Sequence, residues 1–411
     1  MRRLAAAVAL AACVSSTACT RTGLIDVVMR GAARPDPAPF ETFDRYLLLA
    51  GDTHCHVSPP DVPWHASRDF ADTVRLAERE GLDFVVLTPH IGARFWETEE
   101  DRAAVVEAQR TVTSAIAATP SRTIFIPGFE YTDYAFGHVG LSFADVSAAL
   151  ADVSVEASRR APERFFASWN AHGGLFTINH PVLRPIPNAG FAPARADLSW
   201  RAFRGAPVPA EIRWVSEHAQ SIEVFNLDLS HLRDQFALGD RDRSLREAAH
   251  LAERESRRTG RRITHVGGSD SHGDHLRAVT FLLARERSAA GVRAAILAGR
   301  ACVRAAEACT LQVRDRDGAP WRNVGDALPR SGEAVEARAS GGDVTFLVDG
   351  VVAARAASET VTRVPIAPWK RCAQVRAIVG ESWSSPVYVG DCSERAARPE
   401  DGRARRVDDA R

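Results

Sequence analysis

The chain has 411 residues, of which 45% are hydrophobic and 25% charged, a composition typical of a soluble globular protein of two or three domains. Its 52 basic and 52 acidic residues cancel, so no overall positive field draws it to nucleic acid, and no nucleic-acid signature is found. The only lysine is Lys370, which excludes a phosphate-binding P-loop and argues against Schiff-base chemistry.

The N-terminus has the pattern of an export signal. Met1-Arg2-Arg3 precedes the apolar run from Leu4 to Ala12, which is too short to span a bilayer. Leu10-Ala11-Ala12-Cys13 resembles a bacterial lipobox and predicts lipidation at Cys13, with Cys19 as a second candidate. We therefore predict a signal segment over 1–19, a linker over 20–45 and a cell-envelope lipoprotein that contacts the membrane only through this anchor. A secreted protein with a plain cleaved signal peptide is the alternative.

Residues 46–300 alternate between short apolar runs and amphipathic stretches. The runs predict buried parallel strands, and they are Tyr46–Gly51, Asp83–Leu87, Thr123–Ile126, His138–Ser142, Leu175–Ile178, Ile222–Phe225 and Ile263–Val266. Helices are predicted from about Asp69 to Gly81, from Thr98 to Pro120, and from the capping box Ser244-x-x-Glu247. Strand–helix alternation of this length predicts an α/β barrel.

The pattern of residue types changes after Gly299-Arg300. From there on, short strand-like runs separated by glycine-rich breaks predict a small all-β domain over 305–393. The runs are Thr310–Val313, Ala334–Ala339, Val344–Val348, Val375–Val379 and Pro386–Val389. Asp349-Gly350 predicts a hairpin turn, and Cys372 with Cys392 is the favoured disulfide. The charged segment 394–411 is predicted to be a disordered tail.

Potential metal ligands follow the predicted strands. His54 and His56 come after the first strand at positions i and i+2, so on an extended chain both imidazoles can reach one metal. Further candidates near other strand ends are His90, Glu130, His138, His180, Asp270 and His272. Because the C-terminal strand ends of an α/β barrel converge on one face, we expect these side chains to meet there. Cys55, out of phase by one residue, is expected to point into the core.

In this order, the motifs resemble the PHP (polymerase and histidinol phosphatase) superfamily of metallohydrolases. The matching motifs are His54-x-His56, Thr88-Pro89-His90, Gly128-Phe129-Glu130, Asn179-His180-Pro181, Glu223-Val224-Phe225-Asn226 and Gly268-Ser269-Asp270-Ser271-His272. Ala298-Gly299-Arg300 and the small β domain are similar to the carbaryl-hydrolase-like branch. The resemblance implies an α/β fold in which a distorted (β/α)7 PHP barrel over 46–300 precedes the small all-β C-terminal domain.

The resemblance also implies up to three metal sites. The first would be formed by His54, His56, Glu130 and Asp270. Glu130 would bridge to a second metal, held also by His138 and His180. His90 and His272 would hold a third, together with either Asp61 or His65. Pro89 stands where many family members carry Asp, which leaves the third site least defined. Glu130, Asp270 and His272 are the predicted catalytic residues.

Histidine with carboxylate ligands fits two to three divalent ions, Zn, Mn or Fe. Their positive surplus suits an anionic substrate, and the expected nucleophile is a metal-bridging hydroxide. We therefore predict an exported metal-dependent hydrolase that cleaves a small-molecule phosphoester. The alternatives are hydrolysis of a carbamate or carboxylic ester, as in the carbaryl-hydrolase-like branch, and a metal-stabilised binding protein of the cell envelope. The oligomeric state stays open.

Three aromatic residues in the loops after the first two predicted strands have two interpretations. Trp64, Phe95 and Trp96 form either an apolar wall for the organic part of a substrate or part of the core. Tyr131, Tyr134 and Asn226 could also line the pocket, but for each of them a structural or supporting role is favoured over a catalytic one.

Overall fold

The computed structural model describes residues 41–43, 45–182, 199–230 and 241–392. The predicted signal segment, nearly all of the linker, Cys13 and Cys19, and the C-terminal tail lie outside them. The described strands are β1 (Glu41–Phe43), β2 (Tyr46–Cys55), β3 (Phe84–Leu87), β4 (His90–Gly92), β5 (Ile124–Asp133), β6 (Gly137–Ser142), β7 (Leu175–Ile178), β8 (Ser221–Asn226), β9 (Thr264–Gly268), β10 (Thr280–Ala284), β11 (Ala301–Val303), β12 (Gln312–Arg314), β13 (Arg322–Asn323), β14 (Ala327–Leu328), β15 (Ala334–Arg338), β16 (Val344–Val348), β17 (Val351–Ala356), β18 (Thr362–Pro365), β19 (Cys372–Val379), β20 (Ser382–Ser384) and β21 (Val387–Gly390).

The helices connect these strands. They are α1 (Phe70–Arg79), α2 (Glu99–Ala118), α3 (Val146–Ala151), α4 (Val155–Arg160), α5 (Glu163–Ala171), α6 (Ala210–His218), α7 (Arg241–Thr259) and α8 (Ala289–Leu297), with 3-10 turns at Arg201–Arg204 and Ala306–Thr310. In the part of the chain that the structure describes, no helix has the length and apolar character needed to cross a membrane. The predicted mixed α/β fold with a β-rich C-terminal region is confirmed in these coarse terms.

Strand pairing runs round from β2 back to β2. The order is β2–β3–β5–β6–β7–β8–β9, with parallel pairs except on the two sides of β6. The chain after β9 then returns to β2 through an isolated bridge between Cys55 and Ser271. The amide of Asp270 donates to the His54 carbonyl at 2.8 Å, and that of His56 donates to the Ser271 carbonyl at 3.1 Å. These seven strands, called the ring below, bring the C-terminal ends of β2, β3, β5, β8 and β9 to one edge.

Each predicted strand of residues 46–300 overlaps an observed one, because the apolar runs are buried on both faces. The expectation that all of them are parallel is wrong for β6, which pairs antiparallel with both β5 and β7. Two predicted helix starts also hold: Asp69 caps α1 and Thr98 caps α2, each accepting a backbone N–H of the first turn. The predicted start of the third helix is wrong. That helix begins at Arg241, so Ser244 lies inside its first turn and is not the N-cap.

The C-terminal region is joined to the ring by a continuous sheet. On the edge of β2 beside its first half, β10 pairs antiparallel, followed by β11, β20 and β19. Tyr46 and Leu48 of β2 share one apolar core with Phe346 and Val375 of the C-terminal strands. The predicted hairpin is present, since Asp349 and Gly350, both with positive φ, connect β16 to β17. A separate four-stranded antiparallel sheet contains β13, β12, β15 and β18. The predicted domain limits of 300 and 305 stay predictions.

Two disulfides close loops of the C-terminal half. Cys372 is bonded to Cys392, as predicted. Cys302 is bonded to Cys309, a pair that the sequence analysis did not propose. Cys55 is a free thiol buried in the core beneath α1, as its phase on the strand predicts.

A buried ion pair links α7 to the C-terminal region. Arg376 of β19 and Glu253 of α7 have side chains with no exposure to solvent and form a direct contact. The guanidinium of Arg376 also lies 4.7 Å from the ring centroid of Trp383. Burial favours the neutral form of Glu253, but Arg376, together with His250 and His265, lowers the pKa of this carboxyl to about 2. The pair therefore stays ionised inside the protein.

We expect Arg376→Met to lower the free energy of unfolding by roughly 3–5 kcal/mol, because it leaves Glu253 buried without its counter-charge. Adding Glu253→Gln should recover much of that loss. Denaturant unfolding followed by circular dichroism measures both. The control is Arg371→Met, which breaks an exposed pair with Asp391 and should have little effect. Equal destabilisation by the buried and exposed substitutions would contradict this role of Arg376.

Candidate metal centre

Ten histidine and carboxylate side chains meet at the edge of the ring where its parallel strands end. They form four groups, in each of which the potential ligand atoms lie within 4.8 Å of one another: His54, His56 and Asp270; Glu130, His138 and His180; His56, His90 and His272; and Asp61, His65 and His90. The last two groups share His90 and are together called the third group below. All ten sequence-predicted ligands thus come together. They arrive from β2, β4, β5 and β6 and from the segments after β2, β7 and β9.

The first group has the spacing of a tetrahedral site. The Nε2 atoms of His54 and His56 are 3.2 Å apart. Asp270 Oδ1 lies 3.3 Å from His54 Nε2 and 3.1 Å from His56 Nε2. Glu130 Oε1 is 3.1 Å from His54 Nε2. A tetrahedral ion with bonds of about 2.0–2.2 Å places its ligands roughly 3.3–3.6 Å apart, so the donor atoms of His54, His56 and Asp270 can bind one divalent ion, with Glu130 Oε1 next to His54.

Glu130 lies between this group and the others. Its Oε1 is 3.3 Å from His138 Nδ1 and 3.4 Å from His180 Nε2, while its Oε2 is 3.3 Å from His90 Nε2. Burial favours protonation of this carboxyl, but the facing imidazoles, His138 and His54 foremost, hold its pKa well below the usual value. Glu130 is therefore an ionised buried carboxylate that both the first and the second group can share.

The third group contains both residues between which the sequence left a choice. Asp61 Oδ1 lies 3.1 Å from His90 Nδ1, and its Oδ2 lies 3.0 Å from His56 Nδ1. The ring of His65 has its centroid 4.5 Å from those of His90 and His272. Asp61 thus contacts two of the clustered imidazoles through oxygen atoms, whereas His65 packs against two through its ring.

Buried nitrogen atoms without partners support a metal at this edge. Among the described residues, His272 Nε2 and His138 Nε2 are buried and form no hydrogen bond, while the buried His138 Nδ1 faces Glu130 Oε1 at 3.3 Å. The Nδ1 atom of His272 faces the Asp270 carbonyl at 2.8 Å, which leaves Nε2 as the ring atom available to bind a metal. Imidazole nitrogen and carboxylate oxygen are common ligands of Zn and related divalent ions. The residues present therefore fit such ions.

Glu223 is a functional residue that the sequence analysis matched in a motif without assigning it a role. It lies on β8, and its Oε1 contacts His54 Nδ1 at 3.1 Å. Its Oε2 accepts the backbone N–H of His180 at 2.7 Å. A carboxylate on Nδ1 keeps the proton there and aims the Nε2 lone pair of His54 at the metal position. Glu223 therefore positions ligands of both the first and the second group.

Two amides and a carboxylate complete the layer behind the ligands. Asn179 Nδ2 donates to Glu130 Oε1 at 2.8 Å, and Asn226 Nδ2 donates to Asp270 Oδ2 at 2.9 Å. Asp52 Oδ1 accepts the N–H groups of His54 and Ser269 at 3.0 and 2.9 Å. Burial raises the pKa of Asp52 to about 6. In the sequence these residues stand out only because they are adjacent to predicted ligands or in the same motifs. Asn and Asp are also common in turns, so their residue types alone did not identify a role at the site.

Backbone conformation at this edge is specialised. His180 and Asp270 adopt positive φ values of 28° and 55°, which non-glycine residues seldom adopt. Gly268 lies so close to β2 that an added Cβ atom would stand 2.3 Å from the Cβ of His54. The close approach of β9 to β2 therefore requires a glycine here.

The structure divides the aromatic residues of the neighbouring loops. Phe95, Trp96 and Tyr131 are buried in the main apolar core, so the core interpretation holds for the first two and Tyr131 does not line an open pocket. Trp64 and Tyr134 are exposed.

In comparison with known proteins, no protein-family model and no curated protein sequence matches the chain. Solved structures that match include a two-domain protein containing a predicted PHP-like metal-dependent phosphoesterase from Bacteroides vulgatus, with 17% identity over 87% of this chain and 98% of that one and a TM-score of 0.43.

A lesion-specific endonuclease from Pyrococcus furiosus matches at 14% identity over 61% of this chain and 56% of that one, with a TM-score of 0.33. An amidohydrolase from Chromobacterium violaceum matches at 13% identity over 54% and 87%, with a TM-score of 0.29. These identities and TM-scores are too low to assign an activity, which has to be inferred from the side chains of the site.

Glu223→Ala should weaken metal binding about 10- to 100-fold, because His54 loses the carboxylate that orients it. Competition with a chromophoric chelator measures the dissociation constants, and circular dichroism checks the fold. Glu255→Gln is the matched control, since Glu255 is also buried but pairs with Arg258 away from the site. Unchanged metal affinity in folded Glu223→Ala protein would show that this carboxylate does not position His54.

Proposed function

We propose that this protein is a metal-dependent hydrolase of the PHP superfamily that cleaves a phosphoester. The observation that carries the proposal is the position of Glu130, a buried carboxylate with one oxygen facing the His54 and His138–His180 sides and the other facing His90. A carboxylate placed in this way suits adjacent ions that act on one substrate. The strand order of the ring and the motif order both support a distorted (β/α)7 PHP barrel.

Charge at the site favours an anionic substrate. Two or three divalent ions bring about four to six positive charges, against the carboxylates of Glu130, Asp270 and Asp61 in the ligand groups. The remaining ligands are neutral imidazoles when they bind a metal. A phosphoester, which carries negative charge in its ground state and gains more during hydrolysis, matches this surplus better than a neutral ester does.

Divalent ions bound here supply activation of water at neutral pH and stabilisation of the negative charge that develops on the substrate. The protein side chains prepare this chemistry. Glu223 and Asp61 face the Nδ1 atoms of His54 and His56, so both Nε2 atoms point toward the same position. Asn179 and Asn226 fix the rotamers of Glu130 and Asp270. The donors are thus oriented before substrate arrives, which lowers the cost of assembling the site.

Carbamate or carboxylic ester hydrolysis, as in the carbaryl-hydrolase-like branch, is the second candidate. It uses the same donor set and differs in substrate charge. A metal-stabilised envelope binding protein is the non-enzymatic alternative. It is disfavoured because a structural zinc needs four ligands, whereas ten donors cluster at this edge. A screen of phosphomonoesters, phosphodiesters and carbamates with the metal-loaded protein distinguishes all three.

We further propose that the protein acts outside the cytoplasm. The disulfides Cys302–Cys309 and Cys372–Cys392 support this location, because such bonds persist mainly in oxidising compartments. The apolar N-terminal run and Cys13 supply the export and anchoring signals on which the location depends.

The purified mature protein should retain two to three divalent ions per chain after dialysis, as measured by elemental analysis. Glu130→Gln and Asp270→Asn should lower kcat by roughly a thousandfold or more, because they disrupt the positioning of the ions that activate water. His272→Ala should leave a measurable fraction, since it removes no donor atom from the group of His54, His56 and Asp270.

The control for these substitutions is His172→Ala, whose partly exposed imidazole pairs with Asp152 and belongs to none of the ligand groups. This variant should keep both metal and turnover. Less than one ion per folded chain, or near-full activity of Glu130→Gln with its metal retained, would refute the proposed hydrolase.

Cys13 should carry the lipid. Cells grown with a fatty-acid analogue should label the wild-type protein and the Cys19→Ser variant, while Cys13→Ser should lose the label. Absence of label from the wild-type protein would leave simple secretion as the location.

A further inference from the structure

Two exposed aromatic side chains stand beside the metal-ligand groups. Trp64 is 65% exposed and Tyr134 is 76% exposed. Large aromatic side chains are usually buried, as Phe95, Trp96 and Tyr131 are in this protein. Exposed aromatic residues at the edge that carries the candidate ligands therefore need a function other than core packing.

Trp64 is held in place by the loop that supplies Asp61 and His65. Within this loop the N–H of His65 donates to the Val62 carbonyl at 2.9 Å, and the N–H of Ser67 donates to the His272 carbonyl at 2.8 Å. The ring centroid of Trp64 lies 5.4 Å from that of His65. Val62, 46% exposed, adds a second apolar side chain to the same tip. The indole is thus fixed at the side of the third ligand group.

Tyr134 lies at the tip of the hairpin between β5 and β6. Asp133 Oδ1 accepts the N–H groups of Ala135 and Phe136 at 2.8 and 3.0 Å and so fixes the turn. The phenol ring meets the ring of His138 edge to face, with centroids 5.9 Å apart and an interplanar angle of 81°. Tyr134 therefore stands at the side of the second ligand group.

The two aromatic residues approach the centre from different directions. The loop with Trp64 follows the C-terminal end of β2, and the hairpin with Tyr134 follows the C-terminal end of β5, so both lie at the same edge of the ring. Between them is Glu130, which contacts His90 on the Trp64 side and His138 on the Tyr134 side. A molecule bound at the ligand groups would have a planar apolar surface on each flank.

We propose that Trp64 and Tyr134 are specificity-determining residues that select phosphate esters of phenols. This inference rests on the proposed phosphoesterase function and names its substrate class. In the reaction, water adds to phosphorus and the bond between phosphorus and the aryl oxygen breaks. That oxygen leaves with the bonding electron pair and takes up a proton, so the products are a phenol and phosphate. The aromatic ring of the ester stacks on the exposed indole or phenol ring.

The test compares phenyl with methyl compounds on the metal-loaded full-length protein. Calorimetry gives the affinities for phenylphosphonate and methylphosphonate, which are not hydrolysed, and steady-state assays give kcat/KM for phenyl phosphate and methyl phosphate. Wild-type protein should prefer phenyl in both measurements. In Trp64→Ala and in Tyr134→Ala the ratio of phenyl to methyl affinity should fall roughly three- to tenfold. Trp64→Phe and Tyr134→Phe, which keep an aromatic ring, should retain most of it.

Trp369→Ala is the matched control, because Trp369 is 80% exposed but belongs to the C-terminal region. Its phenyl-to-methyl ratios should equal those of the wild-type protein. Equal binding of the two phosphonates by wild-type protein, or unchanged ratios in both alanine variants, would overturn the assignment of Trp64 and Tyr134. Tighter binding of phenylphosphonate with no hydrolysis of either ester would instead refute the phosphoesterase and leave the aromatic selectivity standing.

Discussion

Charge compensation around Glu130 is the constraint on which the rest of the structure depends. This carboxylate is 1% exposed, and an ionised group so deeply buried needs positive or hydrogen-bonding partners on every side. The partners come from distant parts of the chain: His54, His90, His138, His180 and the amide of Asn179. Only a fold that brings several strand ends to one edge can supply them together. The ring provides that edge, and bound metals would take over the same compensation.

The predictable parts of the fold are those that depend on the residue types of a short stretch of sequence. Strands buried on both faces are apolar throughout, so β2, β3 and β9 were found from their own residues. β10 is equally apolar, yet its role went unnoticed, because its pairing with β2 depends on a partner more than 200 residues away. The ligands were predictable because they occur near the ends of predicted strands, which converge on one edge. Glu223 was not, since the sequence gives its residue type but not the direction of its side chain toward His54.

The C-terminal region illustrates a second limit of sequence reasoning. Its change of sequence pattern after Arg300 correctly indicates short strands. The pattern of residue types does not reveal that β2, the first strand of the ring, contributes to two apolar cores. One face of β2 packs Leu49 against Phe84 and Val86 inside the ring, and the other packs Leu48 with the C-terminal strands. The alternation of neighbouring leucines between two cores becomes visible only when both partners are in place. The Cys302–Cys309 disulfide was not predicted for a different reason: its cysteines are only seven residues apart, but spacing alone does not fix which thiols pair.

The late pairing of β2 has a consequence for how the chain folds as it is synthesised. β3 can join one edge of β2 soon after it emerges, but Gly51 finds its partner Thr280 only about 230 residues later. At roughly 5–20 residues per second, the other edge stays unpaired for on the order of ten seconds or more. During that interval an apolar strand with free N–H and carbonyl groups is open to wrong partners. Under the export proposed above, a first strand that closes this late would keep the chain from completing its fold before translocation.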